Sequence, residues 1–261
     1  MKGAGKEKER ITLMLLGGSN GDRYDPFVVF KTQASKIPER ARENMAFRHG
    51  FGATLWREVR GLQTGVQIYE NNAGWWNGEL TIQVLLYHFL NREDMHTPVL
   101  LLLDDFSGHW REDVFIMARF LNVELMRVPA GYTSVCQPAD ISWNKPLKDF
   151  MRKNWVNYLL QELRNSVATI PFKLKPPTRP QIIEWTKAAW QSLLAPIIIS
   201  GFRKANFLAT ESAPADPQNE IQMPLDAEPD WEELNRLLEE VPVVHHFVDS
   251  SRDIDTLTDD A

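Results

Sequence analysis

Residues 98–105, Pro-Val-Leu-Leu-Leu-Leu-Asp-Asp, decide how this chain is read. A continuous apolar run this short, bounded by polar residues, predicts a central strand buried on both faces. Working outward, ITLMLL at 11–16 predicts a second buried strand and PFVVFK at 26–31 its returning partner. The turn formers between them, Gly17 to Asp22, suggest a hairpin with a long loop. A helix is expected over 35–48 with Pro38 near its start, broken by His49-Gly50-Phe51-Gly52. Residues 56–69 read as helix or strand, with β character in VQIY at 66–69. An amphipathic helix is expected over 75–90, with Trp76, Leu80, Val84 and Tyr87 near one face. Beyond the decisive strand come a helix at 110–121, a strand at 123–128, an irregular loop at 129–138 and a helix from about Asp140 to Leu163. This order predicts an α/β domain with a mixed sheet.

Charge is segregated along the chain. The formal net charge is −6, but residues 211–261 hold 15 acidic residues against two Arg, leaving 27 basic and 20 acidic residues before them. A mildly basic body with an acidic tail suits nucleic-acid binding, and equally a soluble domain with a disordered tail. The expected division is a core at 1–165, a helical extension at 166–209 behind a Pro-rich linker at 171–180, and an acidic, mostly disordered tail at 210–261. Within that tail a helix is expected near 230–241, with Asp230 and Glu233 at capping-box spacing. Its Leu234, Leu237 and Leu238 could dock on a protein partner or fold back on the domain. The one cysteine, Cys136, excludes an intramolecular disulfide and fits a reducing compartment; no His lies near it in sequence to suggest a nucleophile. No apolar stretch approaches the roughly 20 residues of a membrane helix.

Functional groups in α/β sheets gather where loops leave the carboxyl ends of strands. Asp104 and Asp105 stand at that point, and Asp140 follows the next strand near a helix start. Carboxylates converging there would suit Mg2+, which takes oxygen ligands and leaves room for water and phosphate. Each Asp also has an ordinary reading: Asp104 as a turn residue, Asp140 as the N-cap of its own helix.

LLLLDDFSGHW at 100–110 followed by VPAGYTSVCQPADISWNKPLKDFMRKNW at 128–155 resembles the DDE superfamily endonuclease domain of pogo/Tigger-type transposases. The family has an apolar strand ending in Asp, then a nearby His, then Thr-Ser, Gln-Pro and Asp. Here these are Asp104, His109, Thr133-Ser134, Gln137-Pro138 and Asp140, with 35 residues between the two acids. The resemblance extends to 8–22 and weakly to 71–80, covering roughly 6–165. It implies a ribonuclease-H-like mixed sheet flanked by helices, Mg2+ (or Mn2+) as cofactor, DNA as partner, nuclear localisation, and DNA cleavage with strand transfer. Asp104 and Asp140 stand in the places of the second and third catalytic, metal-binding carboxylates.

The family's first Asp sits on a central strand before the segment matching 10–16. No Asp occurs here before Asp22, which follows the first strand in a turn. The central strand is therefore expected to be missing, with VQIYE at 66–70 the one segment that could take its place; the family's helix-turn-helix region has no counterpart either. Asp105 replaces the usual Asn, as an auxiliary ligand or a helix-capping group, and His109 could orient a carboxylate, contact substrate or be an ordinary loop histidine. Lys145, Lys148, Arg152 and Lys153 follow Asp140, as DNA phosphate contacts or as the solvated side of a helix that buries Leu147, Met151 and Trp155. Trp75, Trp76, Trp143 and Trp155 are expected in the core rather than as base-stacking platforms. Two functions follow: a DDE nuclease domain, or an inactive remnant that only binds nucleic acid or protein.

Overall fold

The computed structural model describes residues 11–166, 172, 175–209 and 230–240. Ile11–Gly17 forms β1 and Arg23–Lys31 forms β2, antiparallel, with Ile11 opposite Phe30 and Gly17 opposite Arg23. Their connection is tighter than the long loop expected. Gly18 N–H donates to the Asp22 carbonyl (2.9 Å) and Gly21 N–H to the Gly18 carbonyl (2.9 Å), so β2 begins at once.

Pro38 opens α1 (Pro38–Arg48), where its missing N–H costs nothing, and His49 ends the helix with φ 52°. The ambiguous stretch divides into α2 (Ala53–Val59) and β3 (Gln67–Asn71). β3 runs parallel to β2 on the side away from β1, giving the order β1-β2-β3. Residues 66–70 therefore do not take the place between the hairpin and the strand at 99–103.

Helix α3 (Gly78–Phe89) starts later than expected because Asn77 caps it, its side chain accepting from Leu80 N–H (2.9 Å). Val99–Leu103 is β4, followed by α4 (Glu112–Phe120) and β5 (Val123–Arg127), which runs parallel to β4. These two strands form their own sheet, hydrogen-bonded to none of β1–β3. β4 is not buried on both faces: Leu101 and Leu103 are buried, but Leu100, on the other face, is 54% exposed. Apolar packing still joins the two sheets, since Met14 and Leu16 of β1 rest on the core formed by Leu85, Leu101, Leu103 and Val114. A second core holds Val28, Phe30, Phe51 and Ile68.

The stretch expected to be irregular contains the short α5 (Thr133–Cys136). A π-helical turn, Ala139–Trp143, then leads into α6 (Asn144–Arg164). Thr178 and Gln181 form a capping box at the start of α7 (Arg179–Ser192), and α8 (Ala195–Lys204) follows. Both helices belong to the core. Ile183 of α7 packs with Val28 and Ile68, and the Trp190 indole N–H donates to the Tyr24 carbonyl (2.7 Å).

The tail helix α9 (Trp231–Glu240) keeps one half of its expected capping box, Glu233 N–H donating to Asp230 Oδ1 (2.8 Å). Its Leu234 is buried among Val156, Leu160, Leu163 and Phe172, with Leu237 and Leu238 alongside. Arg164 grips the Glu233 carboxylate, Nε donating to Oε1 at 2.9 Å. Of the two destinations open to this apolar face, the structure takes the fold-back. The rest of the acidic tail, 210–229 and 241–261, lies outside the described residues, as do 1–10 and most of the Pro-rich linker before Lys175. No helix among the described residues is long and apolar enough to cross a membrane.

Near the end of α3, His88 is enclosed by the rings of Tyr24 (5.8 Å), Phe27 (5.6 Å) and Tyr87 (4.9 Å). Its Nε2 is buried with no hydrogen-bond partner. Burial pushes the imidazole down to about 4 from an ordinary 6.5, against the pull of Asp25. The native state thus keeps His88 neutral at pH values where the unfolded chain binds a proton. This contribution is fully present above about pH 6.5 and is lost as pH falls towards about 4. Urea unfolding across pH 4–7 should show a wild-type loss on the order of 3 kcal/mol that is absent from His88→Phe. Equal pH slopes in the two proteins would show that His88 is not buried neutral.

Candidate functional site

Two carboxylates are the candidates for the site, and different elements hold them. Asp104 is the first residue after β4, where the chain leaves the sheet. Its Oδ1 accepts from Phe106 N–H (3.1 Å), folding the carboxylate back over its own loop as an Asx turn. The same oxygen lies 3.3 Å from His109 Nε2, and the Trp110 indole N–H donates to the Asp104 carbonyl (2.9 Å). Burial alone would raise the Asp104 carboxyl. The hydrogen bond and electrostatic attraction of His109, with the hydrogen bond from Phe106 N–H, outweigh burial and hold it below the ordinary carboxylate range.

His109 itself is buried. Its Nδ1 lies 2.9 Å from Thr81 Oγ1 on α3, and the same hydroxyl accepts from the Trp76 indole N–H at 3.0 Å. Asp105 points elsewhere. It pairs with Arg127 at the end of β5 (3.0 Å), whose guanidinium lies 4.2 Å over the Trp110 ring. Arg127 thus takes up the Asp105 charge and, by stacking on Trp110, braces the loop that carries Asp104.

Asp140 lies within the π-helical turn before α6 and makes no capping bond. Its Oδ1 accepts from Asn144 Nδ2 (2.5 Å) across the wide turn. Such single π turns insert a residue into a helix and occur often at functional sites. The turn is held from below by Trp143, which is buried, with its indole N–H donating to the Ile198 carbonyl of α8 (3.2 Å). Two glycines make room for this ring. A Cβ on Gly17, at the end of β1, would meet Trp143 at 2.9 Å; one on Gly201 would meet the Pro138 carbonyl oxygen at 2.6 Å and Trp143 Nε1 at 3.0 Å.

Along α6, Leu147 is buried and Met151 and Trp155 are half-buried, as expected for the inner side. Lys145 is exposed, Lys148 and Lys153 are partly so, and Arg152 pairs with Asp149 at 2.9 Å. Trp143 joins the core, whereas Trp75 is 44% exposed, because the Asn77 cap ends the helix before reaching it. Cys136 is a half-buried free thiol.

Asp104 and Asp140 are hard oxygen donors of the kind Mg2+ or Mn2+ takes. Each has one carboxylate oxygen engaged and leaves Oδ2 without a hydrogen bond among the described residues. The donor chemistry fits a divalent ion, but the set is partial: no group of three or more His, Cys, Asp or Glu among the described residues is placed to hold a metal.

Sequence reasoning missed Thr81, Trp76 and α8 as parts of the site. Trp76 and Thr81 are separated from His109 by about thirty positions of chain, and α8 from Asp140 by more than fifty. α8 falls within the helical extension expected over 166–209, but nothing in IIISG at 197–201 places it against Asp140.

A family model described as DDE superfamily endonuclease matches residues 8–202, reaching past the 6–165 of the sequence resemblance to include α7 and nearly all of α8. The mouse protein "pogo transposable element with KRAB domain" is 27% identical over 233 residues, covering 88% of this chain and 34% of its own length. Its human counterpart is 26% identical over 229 residues, covering 86% of this chain and 33% of its own. The chain spans about a third of the length of these curated relatives. No solved structure matches it.

The glycine at 201 offers a test of how the Asp140 turn is supported. Helix propensity alone would reward Gly201→Ala by about 1 kcal/mol. The close approach of Pro138 should reverse that sign, since overpacking costs about 1–3 kcal/mol. Denaturant unfolding should show net destabilisation for Gly201→Ala and a change within about 0.5 kcal/mol for Gly61→Ala, whose Cβ would meet nothing within 4 Å. A stabilised Gly201→Ala protein would mean that α8 does not press on this turn.

Proposed function

Because the chain belongs to the DDE superfamily endonuclease family, we propose that it carries part of a metal-dependent DNA-cutting site of the transposase type, with Asp104 and Asp140 as two of its metal-binding carboxylates. The observation that carries this reading is the pairing of the family match with two acids whose Oδ1 atoms are fixed and whose Oδ2 atoms are uncommitted. Asp104 is kept ionised despite burial, as a metal ligand must be. A bound Mg2+ or Mn2+ would neutralise charge on phosphodiester oxygens and lower the pKa of a bound water.

The residues of this chain supply position and charge. Phe106 N–H and His109 hold Asp104 in one orientation, and Asn144 does the same for Asp140. Two carboxylates leave the remaining ligand places to water, to DNA phosphate and to a third carboxylate. In a ribonuclease-H-like sheet that third group lies on a strand between β1 and β4, each of which has one edge without a backbone partner among the described residues. Lys145, Lys148 and Lys153, on the helix that follows Asp140, would take DNA phosphates, with Arg152 divided between phosphate and Asp149. A nuclear setting follows from DNA as substrate.

Mn2+ binding, read by the loss of the free-ion signal in electron paramagnetic resonance, tests the metal site. Asp104→Asn and Asp140→Asn should each weaken it by more than about tenfold, the least that losing even an outer-shell partner typically costs. Any Mg2+-dependent nicking of supercoiled DNA should disappear in both variants. Unchanged Mn2+ affinity, or nicking that survives both substitutions, would overturn the assignment.

Salt dependence tests the DNA face separately. Each duplex phosphate contact contributes about 0.9 to the slope of log K against log salt. The double variant Lys145→Ala/Lys148→Ala should therefore lower the slope by about 2 with little change between DNA sequences. An unaltered slope would remove this part of α6 from the DNA interface.

A further inference from the structure

The buried polar chain behind Asp104 runs in one direction, and that direction can be read from its ends. The Trp76 indole can only donate, and it donates to Thr81 Oγ1 at 3.0 Å. The Asp104 carboxylate, when ionised, can only accept, and its Oδ1 lies 3.3 Å from His109 Nε2. Thr81 has a single hydroxyl hydrogen and two possible acceptors, His109 Nδ1 at 2.9 Å and the Asn77 carbonyl at 3.3 Å. The Asn77 carbonyl already accepts from Thr81 N–H at 3.2 Å, as the first bond of α3. The shorter, unshared contact takes the hydrogen. In the neutral imidazole His109 Nδ1 is then the acceptor, and the single ring proton sits on Nε2, facing Asp104 Oδ1 at 3.3 Å.

We infer that Thr81, held by Trp76, is a positioning residue that fixes the tautomer of His109 and through it the orientation of the Asp104 carboxylate. Thr81 is 1% exposed and His109 6%, so water does not compete for these bonds, and the one other acceptor for the Thr81 hydroxyl is the longer, already occupied Asn77 carbonyl. With Phe106 N–H and His109 Nε2–H both on Oδ1, the carboxylate cannot rotate without losing two hydrogen bonds at once, and Oδ2 stays presented. The hydrogen bond at one ring nitrogen sets which nitrogen carries the proton, and carboxylates that ligate metals are oriented by hydrogen bonds from groups behind them. Asn77 has a part in the same device: by capping α3 it ends the helix just after Trp76, so that the indole comes from the preceding loop while Thr81 comes from the first turn.

The orientation is independent of any metal; its use in metal binding rests on the nuclease reading. Long-range 1H–15N spectra of histidine-labelled full chain at neutral pH report each ring nitrogen separately. Wild type should show His109 with an unprotonated Nδ1 and a protonated Nε2. Thr81→Val, which keeps the shape and removes the hydroxyl, should mix the tautomers, and Thr81→Ser should restore the wild-type pattern. Trp76→Phe, which keeps the ring and removes the N–H, should mix them partly. A protonated Nδ1 in wild type, or a wild-type pattern in Thr81→Val, would overturn the inference. Mn2+ affinity, measured on the same proteins, should fall about tenfold or more in Thr81→Val and recover in Thr81→Ser. Should wild type bind no Mn2+, the nuclease reading fails, while the tautomer spectra still decide what Thr81 does.

Discussion

The seat of Trp143 is the constraint on which the rest of this molecule depends. Its indole lies between the last residue of β1 and the middle of α8, and both neighbours are glycines because neither place has room for a Cβ. The ring makes one hydrogen bond, to Ile198, and stacks at an angle on Trp190 (6.0 Å) and Phe202 (5.8 Å). A large aromatic of this kind contributes several kcal/mol by burial alone. Its greater effect is geometric. Trp143 is the last residue of the π turn, so fixing the indole fixes the turn, and fixing the turn fixes Asp140. The first strand, the turn that carries Asp140 and the C-terminal helices are thereby made into one unit.

Asp104 is held by different means. Its surroundings are polar, and its order comes from hydrogen bonds that enclose the carboxylate and the carbonyl of the same residue. Each partner is itself fixed from behind: His109 by Thr81, Trp110 by the stacked Arg127. Arg127 in turn removes Asp105 from competition by pairing with it. Two adjacent carboxylates thus receive opposite treatment, one kept for presentation at the loop and one neutralised by an ion pair at the end of β5. Packing fixes one half of this pair of candidate acids and hydrogen bonding the other.

Between these halves the sheet is divided. β1 and β4 share a hydrophobic core through Met14 and Leu16 but pair with each other by no strand ladder. Apolar contact is non-directional and tolerates such a gap, whereas a strand ladder requires register and a spacing of about 4.8 Å. α9 lays its leucines on the C-terminal half of α6 and ties Glu233 to Arg164. The acidic helix therefore covers the far end of the helix whose near end carries the lysines after Asp140.

What the sequence determined by itself is everything carried by local periodicity and local chemistry. The run 99–103 had to be a strand, Pro38 and Asp230 had to open helices, and Gly17 to Asp22 had to turn. The acids at 104 and 140 are candidates on linear properties alone, a strand end and the family's spacing. The three-residue error at the start of α3 is of the same local kind, since an Asn that could cap was available and was passed over. Only the tertiary structure decided which side of β2 receives β3, that β4 pairs with β5 alone, and which destination the tail helix takes. It alone decided that Asp105 belongs to Arg127, that Thr81 and Trp76 stand behind His109, and that two glycines nearly two hundred residues apart close on one tryptophan. The physical reason is that a periodic pattern shows which residues are to be buried or bonded, while the choice of partner is made by steric fit and hydrogen-bond geometry between segments distant in the chain.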